Sequence, residues 1–394
     1  MELEPLIGVE RRGTDCLKWD GMQHSFGEEG LDAFWVADMD FHAPLCVRET
    51  LRHWADTAVF GYYAHPQEWK LAFLDWMERR HGLRMEAEWL RFSPGIVTGL
   101  YWMVSALSEP GDAVAVLKPV YYPFFHAVRD TGRWLVSCDL RNENGVYTID
   151  FDALEALFDR ERPKLLILSS PHNPVGRVFL REELERISAL CDRYGVTVLS
   201  DEIHQDLVFP GHRQVPMLSV RQANTVAFAS ASKTFNLAGL QNSYLILPDP
   251  ALRAKFDAYA KSVLGIHGGA EVGELAAAAA YRGGEPWLGS LLLQVRENFE
   301  AIRAVLREKA PKAVVTELEG TYLMWIDLRA YVRTKEAVKE LVQTRCRLAV
   351  DYGDWFGGED YVGFIRLNLA TSRENCLRAA NRLGDALASV NLAR

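Results

Sequence analysis

The sequence predicts an α/β protein, with a mostly parallel central sheet in a large domain and a smaller α+β domain after it. Three observations carry that prediction. Apolar runs of strand length alternate with amphipathic segments through the middle of the chain. Each run leads into a polar, often proline-bearing segment. Beyond Gly284 the texture changes to long helical patterns around isolated strands.

The elements follow in order. Residues 1–45 are too irregular to fold alone and form an N-terminal arm expected to pack on the small domain. Ala113–Leu117, Lys164–Leu168, Val196–Leu199, Thr225–Ala229 and Tyr244–Leu247 read as buried strands. Arg181–Tyr194 carries Leu184, Ile187, Leu190 and Cys191 at helical spacing, with Gly195 as its stop. Strand, helix and strand in series imply parallel pairing with helices on both faces. Gly283-Gly284-Glu285-Pro286 marks the boundary between a large domain, 46–285, and a small one, 286–394. In the latter, Leu291–Glu308 reads as a long helix, Tyr322–Leu328 and Phe364–Leu369 as strands, and Arg373–Val390 as a closing helix.

Composition excludes several classes. Of 394 residues, 49% are hydrophobic and 25% charged, which rules out intrinsic disorder and leaves ample apolar content for a large core. A net charge of −9 argues against sequence-independent binding of nucleic acid. No apolar run approaches the ~18 residues of a membrane span. The opening Met1-Glu2-Leu3-Glu4 lacks a signal-peptide pattern, so a cytoplasmic protein is expected. Cys16, Cys46, Cys138, Cys191, Cys346 and Cys376 are widely spaced, with no Cys-x-x-Cys. They read as reduced thiols, and no metal site is expected.

Glycine-rich nucleotide loops, Gly-x-Ser-x-Gly and His-Glu-x-x-His are all missing. What remains is a lysine and a carboxylate at neighbouring strand ends. Lys233 follows the Thr225–Ala229 run, where desolvation lowers an amine's pKa and makes it a Schiff-base nucleophile. Asp201 ends another apolar run and needs a cation to answer it. A protonated pyridine nitrogen is such a cation, which points to pyridoxal 5'-phosphate. Asn173 and His204 are candidates for its phenolic oxygen, and Tyr121 for its ring face. Ser230, Ser232 and the helix start at Ile96 and Val97 are candidates for its phosphate. Taken singly, these motifs fit a surface lysine, a helix cap, a turn and a structural histidine. Their order, each at a strand end, makes the joint reading a site.

The order Tyr121, Asn173-Pro174-Val175-Gly176, Asp201-Glu202-Ile203-His204, Ser232-Lys233, Arg366 resembles the fold-type I pyridoxal-phosphate enzymes of the class I/II aminotransferase superfamily. More narrowly, the chain resembles the MalY/PatB branch of carbon–sulfur β-lyases, which includes cystathionine β-lyases and cystalysin. That narrower likeness rests on Arg11–Asp20, Trp35–Phe41, Phe60-Gly61-Tyr62, Ser232–Leu240 and Gly363–Asn368. The resemblance implies that Lys233 holds the cofactor, Asp201 its pyridinium, and Asn173 and His204 its phenolate. It implies that Arg366 clamps the substrate α-carboxylate, with Ala37 and Asp38 also at the substrate. It further implies a homodimer with shared sites, Tyr62 reaching the neighbouring subunit's phosphate; the adjacent Tyr63 competes for that role. Gln241 stands where many aminotransferases carry a phosphate-gripping Arg, and His204 where many carry Tyr.

The implied reaction is α,β-elimination from L-cystathionine or a related L-cysteine S-conjugate, giving a thiol, pyruvate and ammonia. The rivals are a true aminotransferase using the same residues, and a regulatory or binding protein retaining the fold. Trp35, Tyr122, Phe124 and Gly265–Gly269 are candidate linings of the side-chain pocket.

Overall fold

The computed structural model describes residues 2–266 and 268–390. Its centre is a seven-stranded sheet built from β1 (Leu90–Ser93), β2 (Ala113–Lys118), β3 (Trp134–Asp139), β4 (Leu165–Ser169), β5 (Thr197–Asp201), β6 (Thr225–Ala229) and β7 (Ser243–Ile246). The spatial order is β1-β7-β6-β5-β4-β2-β3. β6, β5, β4, β2 and β3 pair in parallel, and β7 runs against both its neighbours. The five strands anticipated from apolar runs are present within a residue or two. The two edge strands escape such a reading because polar residues interrupt their apolar runs, half-buried Arg91 in β1 and Ser137 and exposed Asp139 in β3.

Alternation explains why the central runs are apolar throughout. Along β2, Val114 and Val116 enter the cluster on one face, while Ala115 and Leu117 enter the cluster on the other. In β4, Leu165 and Ile167 likewise oppose Leu166 and Leu168. Both faces are covered, so no position is left for a polar residue until the strand ends. The carboxyl edge is therefore where every polar segment emerges.

A second, antiparallel sheet has the order β8-β9-β11-β10, from β8 (Val314–Val315), β9 (Leu323–Asp327), β10 (Asp351–Tyr352) and β11 (Phe364–Asn368). Two long helices, Glu285–Lys309 and Arg373–Ala388, pack against each other beside it. Gly284 ends one helix and precedes the next, because a Cβ there would meet Ala280 O at 2.7 Å and the Phe235 ring at 2.6 Å. The N-terminal arm lies on this second sheet. Asp32–Ala33 pairs in parallel with Leu348–Ala349, and Asp32 takes Arg378 and Arg382. Among the described residues no helix is long and apolar enough to cross a membrane.

Trp325 of β9 belongs to the same apolar cluster as Ala115, Leu117, Leu166 and Leu168 of the seven-stranded sheet. It is 1% exposed, stacks on Phe364 at 5.1 Å, and donates its indole N–H to Tyr147 Oη at 2.9 Å. Trp325→Ala should therefore lower unfolding free energy by about 3–5 kcal/mol in a urea titration. Leu293→Ala, at a solvent-exposed position, should stay within about 0.5 kcal/mol of the parent.

Candidate active site

The loops after β2, β4, β5 and β6 meet at the carboxyl edge around a cavity of about 190 Å³. Tyr121, Ser169, Asn173, Asp201, His204, Ser232 and Lys233 line it, with Ala37 closing one side and Ile96–Thr98 another. Open parallel sheets gather ligands at this edge because the strand ends splay their loops around a common crevice.

Each polar group arrives there for a local reason. Lys233 lies in the short helix Ala231–Phe235, which starts directly after β6 and is capped by Ser230 Oγ accepting the Ser232 N–H at 3.1 Å. Its Nζ donates to Ala37 O at 2.6 Å. Burial, joined by the positive charge of Arg366, outweighs Asp38 and Asp201 and pushes the amine down to about 8. A minor neutral fraction is thus present near neutral pH, growing as pH rises through about 8. Asp201 closes β5 and is 5% exposed; its Oδ1 accepts the Ile203 N–H at 3.0 Å. Burial drives its carboxyl up to about 7 against that hydrogen bond and the Lys233 charge. Among the described residues no cation forms an ion pair with it. His204 is buried and held neutral, first by desolvation and then by Lys233 and Arg366. Its Nδ1 has no partner.

Arg366 projects from β11 and is 2% exposed. Its Nη1 donates to Asn173 Oδ1 at 2.9 Å, which brings the second sheet to the edge of the first. Its Nη2 donates to Trp35 O at 3.1 Å and pairs with Asp351. The helix Ile96–Leu107 presents its first turn to the cavity with no side-chain cap, so the N–H groups of Ile96, Val97 and Thr98 face an open space.

One backbone segment holds the set together. Ala37 O accepts both Lys233 Nζ and Tyr322 Oη, the latter at 2.8 Å. Asn368 Nδ2 bridges Val36 O and Asp38 O at 2.6 Å each, and Asn236 Nδ2 bonds Met39 O and Phe41 O. Asp40 takes the fully buried Lys18 and the Trp19 indole at 2.9 Å each. Trp35–Phe41, within the N-terminal arm, thus touches the arm's own Lys18 and Trp19, the residue after the lysine helix and β11.

Some expected positions differ. Ser230 does not line the cavity; its hydroxyl donates to Asn242 O at 2.7 Å while serving as the cap, which leaves nothing for a phosphate. The Asp38 carboxylate is also outside it, bound by Arg11 at 2.8 Å. Tyr62 is fully exposed and touches nothing in its own chain's cavity, whereas Tyr63 spends its hydroxyl on Gly269 O at 2.8 Å. Trp35, Tyr122 and Phe124 pack elsewhere, and Arg366 lies behind Asn173. Gly265, Ile266 and Gly268 border a different, larger cleft beside Arg91 and Tyr244; His267 lies outside the described residues. Missed by the sequence reading were Ser169, Asn242 and Ser243, which line the cavity. Ser169 and Ser243 end or begin strands, the position that marked the others. Gln241 is exposed, and Asn242 beside it faces inward with Oδ1 unpartnered. Among the described residues no cluster of three His, Cys, Asp or Glu is placed to hold a metal ion.

The aminotransferase class I and II family matches residues 38–383. The chain belongs to that family. Among the proteins similar to it is the Bacillus subtilis protein named cystathionine beta-lyase PatB, 39% identical over 96% of this chain and 98% of the relative. Cystalysin from Treponema denticola, whose crystal structure contains pyridoxal 5'-phosphate, superposes with a TM-score of 0.93 at 32% identity, covering 98% and 99% of the two chains. A pyridoxal-phosphate-bound putative aminotransferase from Clostridium difficile 630 also gives 0.93, at 33% identity over 97% and 98%.

A buried network braces the lysine helix in this family member. Asp206 accepts Trp76 Nε1 at 3.0 Å, His81 Nε2 at 2.8 Å and Thr234 Oγ1, next to Lys233, at 2.8 Å. Burial alone would raise its carboxyl, but the His81 hydrogen bond and the charges of His81 and Arg80 hold it below the usual 3.8. Asp206→Asn should lower unfolding free energy by about 3 kcal/mol or more in urea titration at neutral pH. A carboxyl with a depressed folded-state pKa stabilises fully above its unfolded pKa. The difference between parent and variant should therefore shrink as pH falls through the acid range below 3.8.

Proposed function

We propose that the protein is a pyridoxal-phosphate-dependent carbon–sulfur β-lyase that cleaves L-cystathionine or a related L-cysteine S-conjugate to a thiol, pyruvate and ammonia. The observation that carries this reading is the pairing of a desolvated, partly neutral Lys233 with an unanswered, buried Asp201 across one small cavity. Likeness to PatB and cystalysin supports the carbon–sulfur chemistry.

The cavity fits the cofactor on its own polar groups. Asp201 lacks a cation, and a protonated ring nitrogen supplies one. His204 Nδ1 lacks a partner, and with Asn173 it stands ready for a phenolic oxygen. The uncapped N–H groups of Ile96, Val97 and Thr98, with Ser232, suit a phosphate. Asn242 lies in the same lining and offers the amide that exposed Gln241 does not. Bound pyridoxal phosphate supplies a carbonyl that captures amines and an electron sink next to the substrate's Cα.

The chain's own groups do the rest. Lys233 Nζ would hold the cofactor and, as a free amine, would take the Cα proton as general base. Asp201 keeps the ring nitrogen protonated. Arg366 binds the α-carboxylate, which orients the Cα–H bond toward Lys233. The same amine, now protonated, can hand its proton to the departing sulfur. Delivering that proton back to the cofactor instead would give amino transfer, the rival outcome.

The seven-stranded sheet lies wholly within 46–285 and the four-stranded sheet within 286–394. We place the cofactor-holding unit in the former and the carboxylate-clamping unit, with the arm 1–45, in the latter. Exposed Val59, Phe60 and Tyr62 form an apolar patch that supports a homodimer in which Tyr62 serves the neighbouring site. Six unpaired cysteines support a reducing, cytoplasmic setting.

Incubation with L-cystathionine should release free thiol, pyruvate and ammonia in equal amounts. Loss of substrate amine without free thiol would sink the lyase reading. Lys233→Ala should lose the visible absorbance of the anchored cofactor, and an unaltered spectrum refutes its assignment. Because capture needs the neutral amine, cofactor uptake by the apoenzyme should accelerate as pH rises through about 8.

A further inference from the structure

A guanidinium carries five N–H donors, yet a carboxylate can chelate it along two edges only, Nη1 with Nη2 or Nε with Nη2. Both edges use Nη2, because the Cδ methylene blocks the third. In Arg366, Nη2 is committed twice, to Asp351 Oδ2 and to Trp35 O. Nη1 is engaged by Asn173, and Nε has no partner among the described residues. Neither chelating edge is free for a second carboxylate.

Asp351 is placed there by the fold. β10 pairs with β11 in the register that sets Asp351 opposite Arg366, and both residues are 2% exposed. Its Oδ1 has no hydrogen-bond partner. The titratable groups facing it are Arg366 from β11 and the hydroxyls of Tyr121 and Tyr122 from the loop after β2. Only one of these is a cation, so a carboxylate that leaves Arg366 meets no alternative counter-charge among the described residues.

We propose that Asp351 is a built-in competitor for the substrate carboxylate: it occupies Arg366 Nη2 in the free enzyme, and an amino-acid substrate binds by displacing it. This rests on Arg366 being the carboxylate clamp described above. In the free enzyme the competitor keeps a buried guanidinium compensated. On binding, one carboxylate is exchanged for another, so an ester or amide brings nothing to replace Asp351 and is rejected. Burial already pushes the Asp351 carboxyl up to about 6 beside the guanidinium. Once displaced, it takes a proton from solvent, which relieves repulsion between the two acids. The residue thus sets both affinity and selectivity for a full negative charge.

The test compares parent and Asp351→Asn holoenzymes, since Asn keeps the shape and removes the competing charge. KM for L-cystathionine should fall about tenfold, with kcat moving less. Propionate, a carboxylate that cannot react, should bind about tenfold more tightly by calorimetry. Propionamide affinity should not respond to the substitution. A rise in KM and weaker propionate binding would mean that Asp351 merely holds Arg366 in place, and overturns the proposal. So does unchanged propionate affinity, in Asp351→Asn or in an Arg366→Lys control. Tighter propionate binding without thiol release from any cysteine conjugate would leave this inference standing while the lyase reading fails.

Discussion

Desolvation of charge at one sheet edge is the constraint on which the rest of the structure depends. Half-buried Lys233 and buried Asp201 line the cavity where parallel strands end, and buried Arg366 reaches the same edge through Asn173. Burial drives the amine down and the carboxyl up, so both sit near the point of losing charge. A guanidinium has no such escape, which is why Arg366 holds Asp351. Each group is thereby left in a state that a ligand bearing a carbonyl, a ring cation and a carboxylate resolves. The site is poised by what its members lack.

Holding three such groups in register requires a rigid frame, and Trp35–Phe41 supplies it. This stretch has almost no regular secondary structure, so its carbonyls are free to accept from side chains. Lys233, Tyr322, Asn236, Asn368 and Arg366 all use them. Earlier residues of the same N-terminal arm, buried Lys18 and Trp19, lock the frame by holding Asp40. Residues far apart in sequence thus depend on one short segment, and the arm becomes part of the site's support.

The strand-end logic made much of this legible. Apolar runs buried on both faces must end in polar residues at a common edge, and Lys233, Asp201, Asn173 and Tyr121 were found that way. Contacts set by long-range register were not. Asp351 meets Arg366 because a two-residue strand pairs with β11, and two residues carry no periodicity to read. Ser230 looked like a phosphate ligand because local sequence does not show that a helix cap consumes its hydroxyl. That Arg11 binds the Asp38 carboxylate is likewise not shown by local sequence. The net charge of −9 carried no information about the site: the proposed anionic ligand would meet local N–H groups and one guanidinium, against the sign of the whole molecule.

The most direct test of the central claim concerns Asp201. Holoenzyme carrying Asp201→Asn, with cofactor occupancy checked by absorbance, is given L-alanine in deuterated water, and exchange of the Cα hydrogen is followed by proton NMR. Alanine has no leaving group, so the signal reports proton removal alone. If the buried carboxylate holds the ring nitrogen protonated, the variant keeps its cofactor while exchange slows by about 10²-fold or more. Exchange at the parent rate in the cofactor-loaded variant would contradict the account.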